Sequence, residues 1–385
     1  MRIAALLHRP LREVISGHTY SLFLALVFVV TLVMTYLVLE PINHDDWVRT
    51  VQQIRYLWRG ENPYCDPYCD GLTIDPDLAA YGAYPGTIPY SPWYMFFFGV
   101  LYYATARLVV ALNVAFWSVI ILDSGRLPAL VLVLHPTFLM LWASANIDFL
   151  VNGVGLWLIL RGARGWRRGV ALLLIAIKPQ VLPLVLMLEG ARTLWERDWE
   201  AMLTMASVTL ISILLYPTWL TETLRTYFGA LDGSGVATET RSLSGYSFSV
   251  LGAWGVLPAL AVTAAVLILM RRRLTEWRAL AVLLGLVWTP YINPYSFSVL
   301  LLLFRKESAW RVGTYLGLSI ATLPILFAEF HQYERYGTLA FLLLAAALTT
   351  PDREHTEEAI AVRHAVPIFP PARPLARAVA TEPVF

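Results

Sequence analysis

Charge and cysteine are what this 385-residue chain has least of: Asp, Glu, Lys and Arg together make up 15% of it, and it has two cysteines. Against 58% hydrophobic residues and a mean hydropathy of +0.60, so little charge puts the chain outside the ordinary soluble range and inside the membrane class. A formal net charge of +2 is too small to argue for a nucleic-acid partner. Two cysteines exclude a disulfide framework, and two thiols without a nearby His pair make a poor zinc site. HExxH, paired CxxC, Walker A and GxSxG patterns are all absent, which removes the common metalloprotease, NTPase and serine-hydrolase readings.

What is present is a series of apolar runs. The first, from about Tyr20 to Leu39, is long enough to cross ~30 Å of hydrocarbon, too long for a signal-peptide core, and reads as a retained helix. Arg2, Arg9 and Arg12 precede it, so the positive-inside rule puts the N-terminus in the cytoplasm and the loop after the helix outside. Further runs lie at 90–106, 107–122, 127–145, 147–161, 169–190, 200–217, 248–269, 279–304, 310–328 and 336–349. The basic clusters RGARGWRR (161–168), RRRLTEWR (271–278) and FRKESAWR (304–311) are assigned to the cytoplasm.

Two runs do not read as single straight crossings. Residues 169–190 are interrupted by Lys178-Pro179 and Pro183, and 279–304 by WTPYINPY, both between basic flanks. Proline removes a backbone hydrogen bond and clashes with the preceding turn, so each run is expected to be two short helices meeting at a break. The expectation is an all-α polytopic integral membrane protein, in a membrane domain of residues 1–350 with a disordered cytoplasmic tail at 351–385. Its long outer loops are 41–89 and 218–246, and loops of that size are usually functional.

In the first loop, Trp47, Val51, Ile54 and Trp58 recur at helical spacing opposite Arg49, Gln52, Gln53 and Arg59, which predicts an amphipathic helix lying at the membrane surface. Asp45 and Asp46 stand at its N-terminus. An N-cap and a favourable dipole contact account for one of them, and the second is left over for chemistry. In GENPYCDPYCDG that follows, Cys65 and Cys69 read either as a local disulfide staple or as two free thiols. Tyr81, Tyr84, Pro85, Pro89 and Tyr90 read as a rigid carbohydrate- or lipid-facing wall, or as an ordinary interfacial belt.

A lysine within an apolar run costs ~2.5–3.5 kcal/mol on insertion scales, so Lys178 is expected to face a cavity, where a lipid phosphate would offset the cost, or to pair with an acid such as Asp148. Asn146, Asp148 and Asn152 share one helix face toward the interior, and His135, next to Pro136, reads as a core histidine at a kink. Near the end, AEFHQYERYG (328–337) offers Glu329, His331 and Arg335 at a membrane edge or in a solvated turn.

Several of these pieces together resemble glycosyltransferase family 87, polyprenol-phosphate-sugar-dependent enzymes of the GT-C fold. Asp46-Trp47-Val48 leading to WRGENPY is similar to the family's Asp-aromatic and G-x-N-P-Y opening. AYPGTIPYSPW resembles its Tyr-Pro-rich entry to the second helix, and SANIDFLVNGVGLWLILRGARGWRRGVALLLIAIKPQVLPLVL its Gln-x-Asn helix, basic turn and Lys-Pro hairpin. TRSLSGYSF resembles the Asn-Gln-Ser-Leu segment and WTPYINPYSFSVLLLLF the late Ser-Pro-x-Ser-Trp segment, so the likeness spans roughly 40–305 in order. The chain departs from the pattern at Ile147, where the family has glutamine, at Arg241, which replaces a glutamine, and around Ser296–Ser298, where no histidine appears.

The resemblance implies a GT-C fold with about 11 to 13 membrane segments. It implies inverting transfer of a sugar, mannose by preference, from a polyprenyl monophosphate donor to a lipid or glycan hydroxyl on the outer side of the plasma membrane. Asp46 would be the general base with Asp45 beside it, and Lys178 and Arg241 would hold the donor phosphate. The substrate-binding set is His44, Trp47, Tyr64, Tyr84, Asn146, Asp148, Gln180, Asn293 and His331. No metal or other cofactor is expected. The competing class is a transporter or flippase of lipid-linked or polar solutes, which also uses pairs of broken helices. A glycan polymerase or ligase would share the outer site.

Overall fold

The structure is a computed structural model that describes residues 18–41, 45–61, 91–221, 251–271, 276–289, 293–322 and 334–349, with isolated positions at 76, 247 and 274, and leaves out residues 272, 273 and 275 among others. The side chains of 45, 46, 49, 252 and 334–338 are also outside the description. All of the described residues fall within one compact unit, 1–349.

Among them every regular element is helical. Helix α1 (His18–Val38) is apolar on all sides and buries only Tyr20 and Thr35. Its outward leucines and valines include Leu22 at 71% exposure and Leu37 at 68%, a surface that water would not tolerate uncovered. It packs along α4 (Ala106–Ser124), which is mostly buried. Among the described residues these two are the helices long and apolar enough to cross a bilayer, and the other apolar helices are shorter. Between them come α2 (Asp45–Arg59) and the short α3 (Tyr94–Phe98), continued as a 3₁₀ segment, Gly99–Tyr103.

A 3₁₀ stretch, Leu127–Leu134, leads to α5 (Pro136–Ala143), and a π-helical segment, Phe149–Gly153, runs into α6 (Val154–Leu160). His135 caps α5, its Nδ1 accepting from the Thr137 backbone N–H at 3.2 Å, and its ring stacks on Tyr315. That is the core histidine expected beside Pro136.

Both broken runs are broken where the prolines predict. The first is α7 (Trp166–Ile177) and α8 (Pro183–Trp195) around residues 178–182, and the second is α11 (Trp277–Trp288) and a 3₁₀ helix, Pro294–Phe304, around residues 289–293. Helix α9 (Trp199–Leu215) packs on α7, and α10 (Val256–Leu269), α12 (Ala309–Ile320) and α13 (Glu334–Leu348) complete the bundle. The boundaries of the apolar runs shift by a few residues, because 3₁₀ turns end several of them.

The basic clusters gather at one end. Arg161 pairs with Asp123 at 2.9 Å, the Tyr20 hydroxyl donates to Leu122 O at 3.3 Å, and the Arg126 N–H donates to Arg305 O at 2.7 Å. A ladder of ion pairs ties the same region together: Arg278 to buried Glu189 at 2.7 Å, Arg192 to Glu189 at 3.9 Å and to Glu196 at 2.7 Å, and Arg168 to Glu196 at 2.7 Å and to Asp198 at 3.4 Å. The start of α1, the 161–168 turn, the C-terminus of α8 and the residues around 305 therefore share an end.

Helix α2 forms where its spacing predicts, but its polar face is not left to solvent. Gln52 and Gln53 are as buried as Val51 and Ile54, while Trp58, expected on the apolar face, is 59% exposed. The reason is packing on more than one side: the Trp47 indole N–H donates to Ala104 O at 2.9 Å, the Arg55 Nε to Tyr102 O at 3.2 Å, and the Tyr216 hydroxyl to Leu57 O at 2.8 Å.

Candidate active site

Three places meet at the end of the bundle away from the basic turns: the reversal between α5 and the π segment, the break at 178–182, and the described residues Thr289 and Asn293–Ser296 that flank the second break. Helix α7 spans the distance between the two ends, ~18 Å at 1.5 Å per residue over its 12 residues. The reversal is built by Ala145, which takes a left-handed backbone at φ 48°, a conformation uncommon for a residue with a Cβ. It brings Asn146 and Asp148 in at the head of the π segment, a helix form that recurs at functional sites.

Lys178, at the C-terminus of α7, forms an ion pair with Asp148, and both side chains are buried, at 8% and 1% exposure. The second carboxylate oxygen of Asp148 accepts from the Ser296 hydroxyl. Asn146 Oδ1 accepts from the Asp148 backbone N–H at 2.7 Å and from Lys178 Nζ at 3.4 Å. The ammonium also lies 5.9 Å from the centre of the Tyr295 ring. Asn113, on α4, fixes the turn by donating to Asn146 O at 2.8 Å.

The cluster is not fully satisfied. Among the described residues, Asn146 Nδ2, both amide atoms of Asn152 and Ser298 Oγ are buried and find no hydrogen-bond partner. Each such group carries a desolvation penalty of ~1–3 kcal/mol, which marks the place as one that a polar ligand or ordered water would relieve. Among the described residues no group of three or more His, Cys, Asp or Glu could hold a metal ion.

Other expected site residues are distributed as follows. Asp45 and Asp46 are the first two residues of α2. Trp47 is buried, in one apolar cluster with Ala145, Ile147, Val151 and Ile177, so the start of α2 packs into the same core as the ends that carry Asp148 and Lys178. The Gln180 carbonyl accepts from the Thr289 hydroxyl at 2.6 Å. Asn293 precedes the late 3₁₀ helix and donates to the Tyr295 hydroxyl at 2.5 Å. His44, Tyr64, Cys65, Cys69, Tyr84, Arg241 and His331 lie outside the described residues.

Lys178 takes the second of its two expected roles here, pairing with Asp148. Tyr295, Ser296, Thr289 and Asn113 are not among the candidate site residues read from the sequence; the first three lie in the WTPYINPYSFS segment, and Asn113 carries no local signal. No protein-family model matches this chain, and neither curated proteins nor solved structures give a match.

Proposed function

We propose that the chain is a polytopic membrane glycosyltransferase of the GT-C type that moves a sugar from a polyprenyl monophosphate to an acceptor hydroxyl at the outer face of the membrane. The observation that carries this reading is convergence. Segments that separately resemble family motifs, around Asn146-Asp148, Lys178-Gln180 and Tyr295-Ser296, come together in one buried polar cluster, and the helix begun by Asp45-Asp46 packs into the core beside it.

In this reading the donor's lipid tail stays in the bilayer and its phosphate replaces one of the acceptors on Lys178, while Asp148, held by Ser296, keeps the ammonium in position. Asp46 takes the acceptor proton, a step that contributes ~10²–10⁴ in rate. The cation then stabilises the leaving phosphate as its charge develops.

The test is transfer by purified protein in nanodiscs from a radiolabelled set of polyprenyl-phosphate sugars to a membrane lipid extract, wild type against Asp46→Asn. Transfer that collapses in a folded variant supports the reading, and transfer that survives moves the base elsewhere. A second reading has its own observation: two discontinuous helices meeting at a buried ion pair is the geometry of a transporter site. Solute uptake into proteoliposomes without sugar transfer, and tolerant of Asp46→Asn, would select it.

A further inference from the structure

At the opposite end of the bundle, the turn between α6 and α7 forms the wall of an open cavity of about 490 Å³, lined by Arg161, Arg164, Trp166, Arg167 and Glu200. That volume lies in the range of small-ligand sites. Gly162 and Gly165 make the wall, with φ of 74° and 60°, and Gly162 has open space where a side chain would stand.

The charges around it are unevenly answered. Arg161 is paired with Asp123, and the adjacent Arg168 with Glu196 and Asp198. Arg164 and Arg167 are exposed, and among the described residues no carboxylate lies within ion-pair distance of either. Arg167 lies 5.5 Å from the Trp166 ring centre, a contact that occupies the face of the guanidinium and leaves its edge for an anion. Glu200 carries a negative charge at the wall, where its Oε2 approaches Gly165. Two unanswered arginines against one glutamate leave a single net positive charge, which suits a singly charged phosphodiester better than a polyphosphate.

What borders the cavity indicates where that phosphodiester comes from. Trp166, Trp195 and Trp199 are 57%, 90% and 64% exposed at this same end, the ends of α7, α8 and α9 being joined by the Arg168–Glu196 pair and by the Gly165 N–H donating to Asp198 at 3.0 Å. Exposed tryptophans beside arginines are the side chains that settle at the headgroup level of a bilayer. We infer that the 161–167 turn is a binding site for the phosphodiester headgroup of an anionic membrane lipid, with Arg164 and Arg167 as its ligands. The inference rests on the chain lying in a membrane and is independent of sugar transfer.

The experiment is native mass spectrometry of the full chain in detergent, titrated with phosphatidylglycerol, with phosphatidylcholine and with inorganic phosphate. Phosphatidylglycerol is retained by the wild type and bound roughly thirtyfold more weakly by the Arg164→Gln/Arg167→Gln double variant, whose substitutions lie on the surface. Arg107→Gln, a charge loss beside Glu40 near the far end of α1, leaves the binding intact. Equal retention by the double variant, or equal retention of phosphatidylcholine, would overturn the site. Displacement of the lipid by millimolar inorganic phosphate would overturn the lipid as its source and leave a soluble phosphate compound as the occupant. Circular dichroism of the double variant separates lost binding from lost fold.

Discussion

The Thr289 hydroxyl donates to the Gln180 carbonyl at 2.6 Å, so the break in one discontinuous helix is tied to the break in the other across 109 residues of sequence. Carbonyls released by a helix break need other partners, and at apolar depth they have no water to turn to. The tie explains why two proline-interrupted runs end side by side, and why Lys178, at the start of the first break, and Ser296, just after the second, reach the same carboxylate.

Thr289→Val keeps the shape of the side chain and removes the donor. It lowers stability by about 1–3 kcal/mol, read as thermal unfolding in detergent, and Thr289→Ser retains most of the wild-type value. An unchanged midpoint in the valine variant would mean that the breaks are held together by packing alone.

Lys178 and Asp148 behave as a unit. Lys178→Met or Asp148→Leu alone strands a buried charge and costs about 3–5 kcal/mol, whereas the double variant recovers much of that loss. Losses that simply add would deny the coupling. If the proposed transfer is correct, stability and activity separate in the double variant: the fold returns and phosphate stabilisation does not.

The parts legible in the sequence were those written in local pattern. The apolar runs, the helix over 45–59 and the two breaks follow from hydropathy, spacing and proline, all of which act within a turn or two. Asp148 was legible as an inward residue and as a partner for Lys178, because few other acids lie at that depth. Ser296 and Thr289 were not, since a hydroxyl in an apolar run looks the same whether it bonds its own helix, as Ser118 does to Val114 O at 2.9 Å, or a residue far along the chain. The burial of Gln52 and Gln53 was hidden for the same reason: an amphipathic spacing records two faces and says nothing of what covers the second.

The ladder of ion pairs at the basic end gives the protein an acid limit. Burial pushes the Glu196 carboxyl up, but hydrogen bonds from Arg168 and Arg192 outweigh it and hold the group below its ordinary value of 4.5. A depressed carboxylate stabilises the fold in full above its unfolded pKa and loses that contribution as pH falls through the folded one. Stability is therefore flat near neutrality and declines on acidification as pH falls below the ordinary carboxylate value of 4.5. Glu196→Gln is less stable at neutral pH and shows a shallower decline, measured by thermal unfolding as the pH is lowered. A decline of equal steepness in both proteins would assign it to other carboxylates.

Two glycines make opposite predictions from the same substitution. A Cβ on Gly169 would stand 2.7 Å from the Thr204 Cβ and 2.9 Å from the Ala201 carbonyl oxygen. The carbonyl is backbone and cannot swing aside, so α7 and α9 would have to separate where their first turns meet. Gly169→Ala is expected to cost about 1–3 kcal/mol through overpacking. Gly190, within α8, has nothing within 4 Å of where its Cβ would be. Gly190→Ala meets no clash and gains the helix preference of alanine, so it raises stability by up to about 1 kcal/mol. Thermal unfolding of the two variants beside wild type decides the matter: if both destabilise, the approach of α7 to α9 is not what distinguishes them, and if both stabilise, the close contact at Gly169 is absent in the protein.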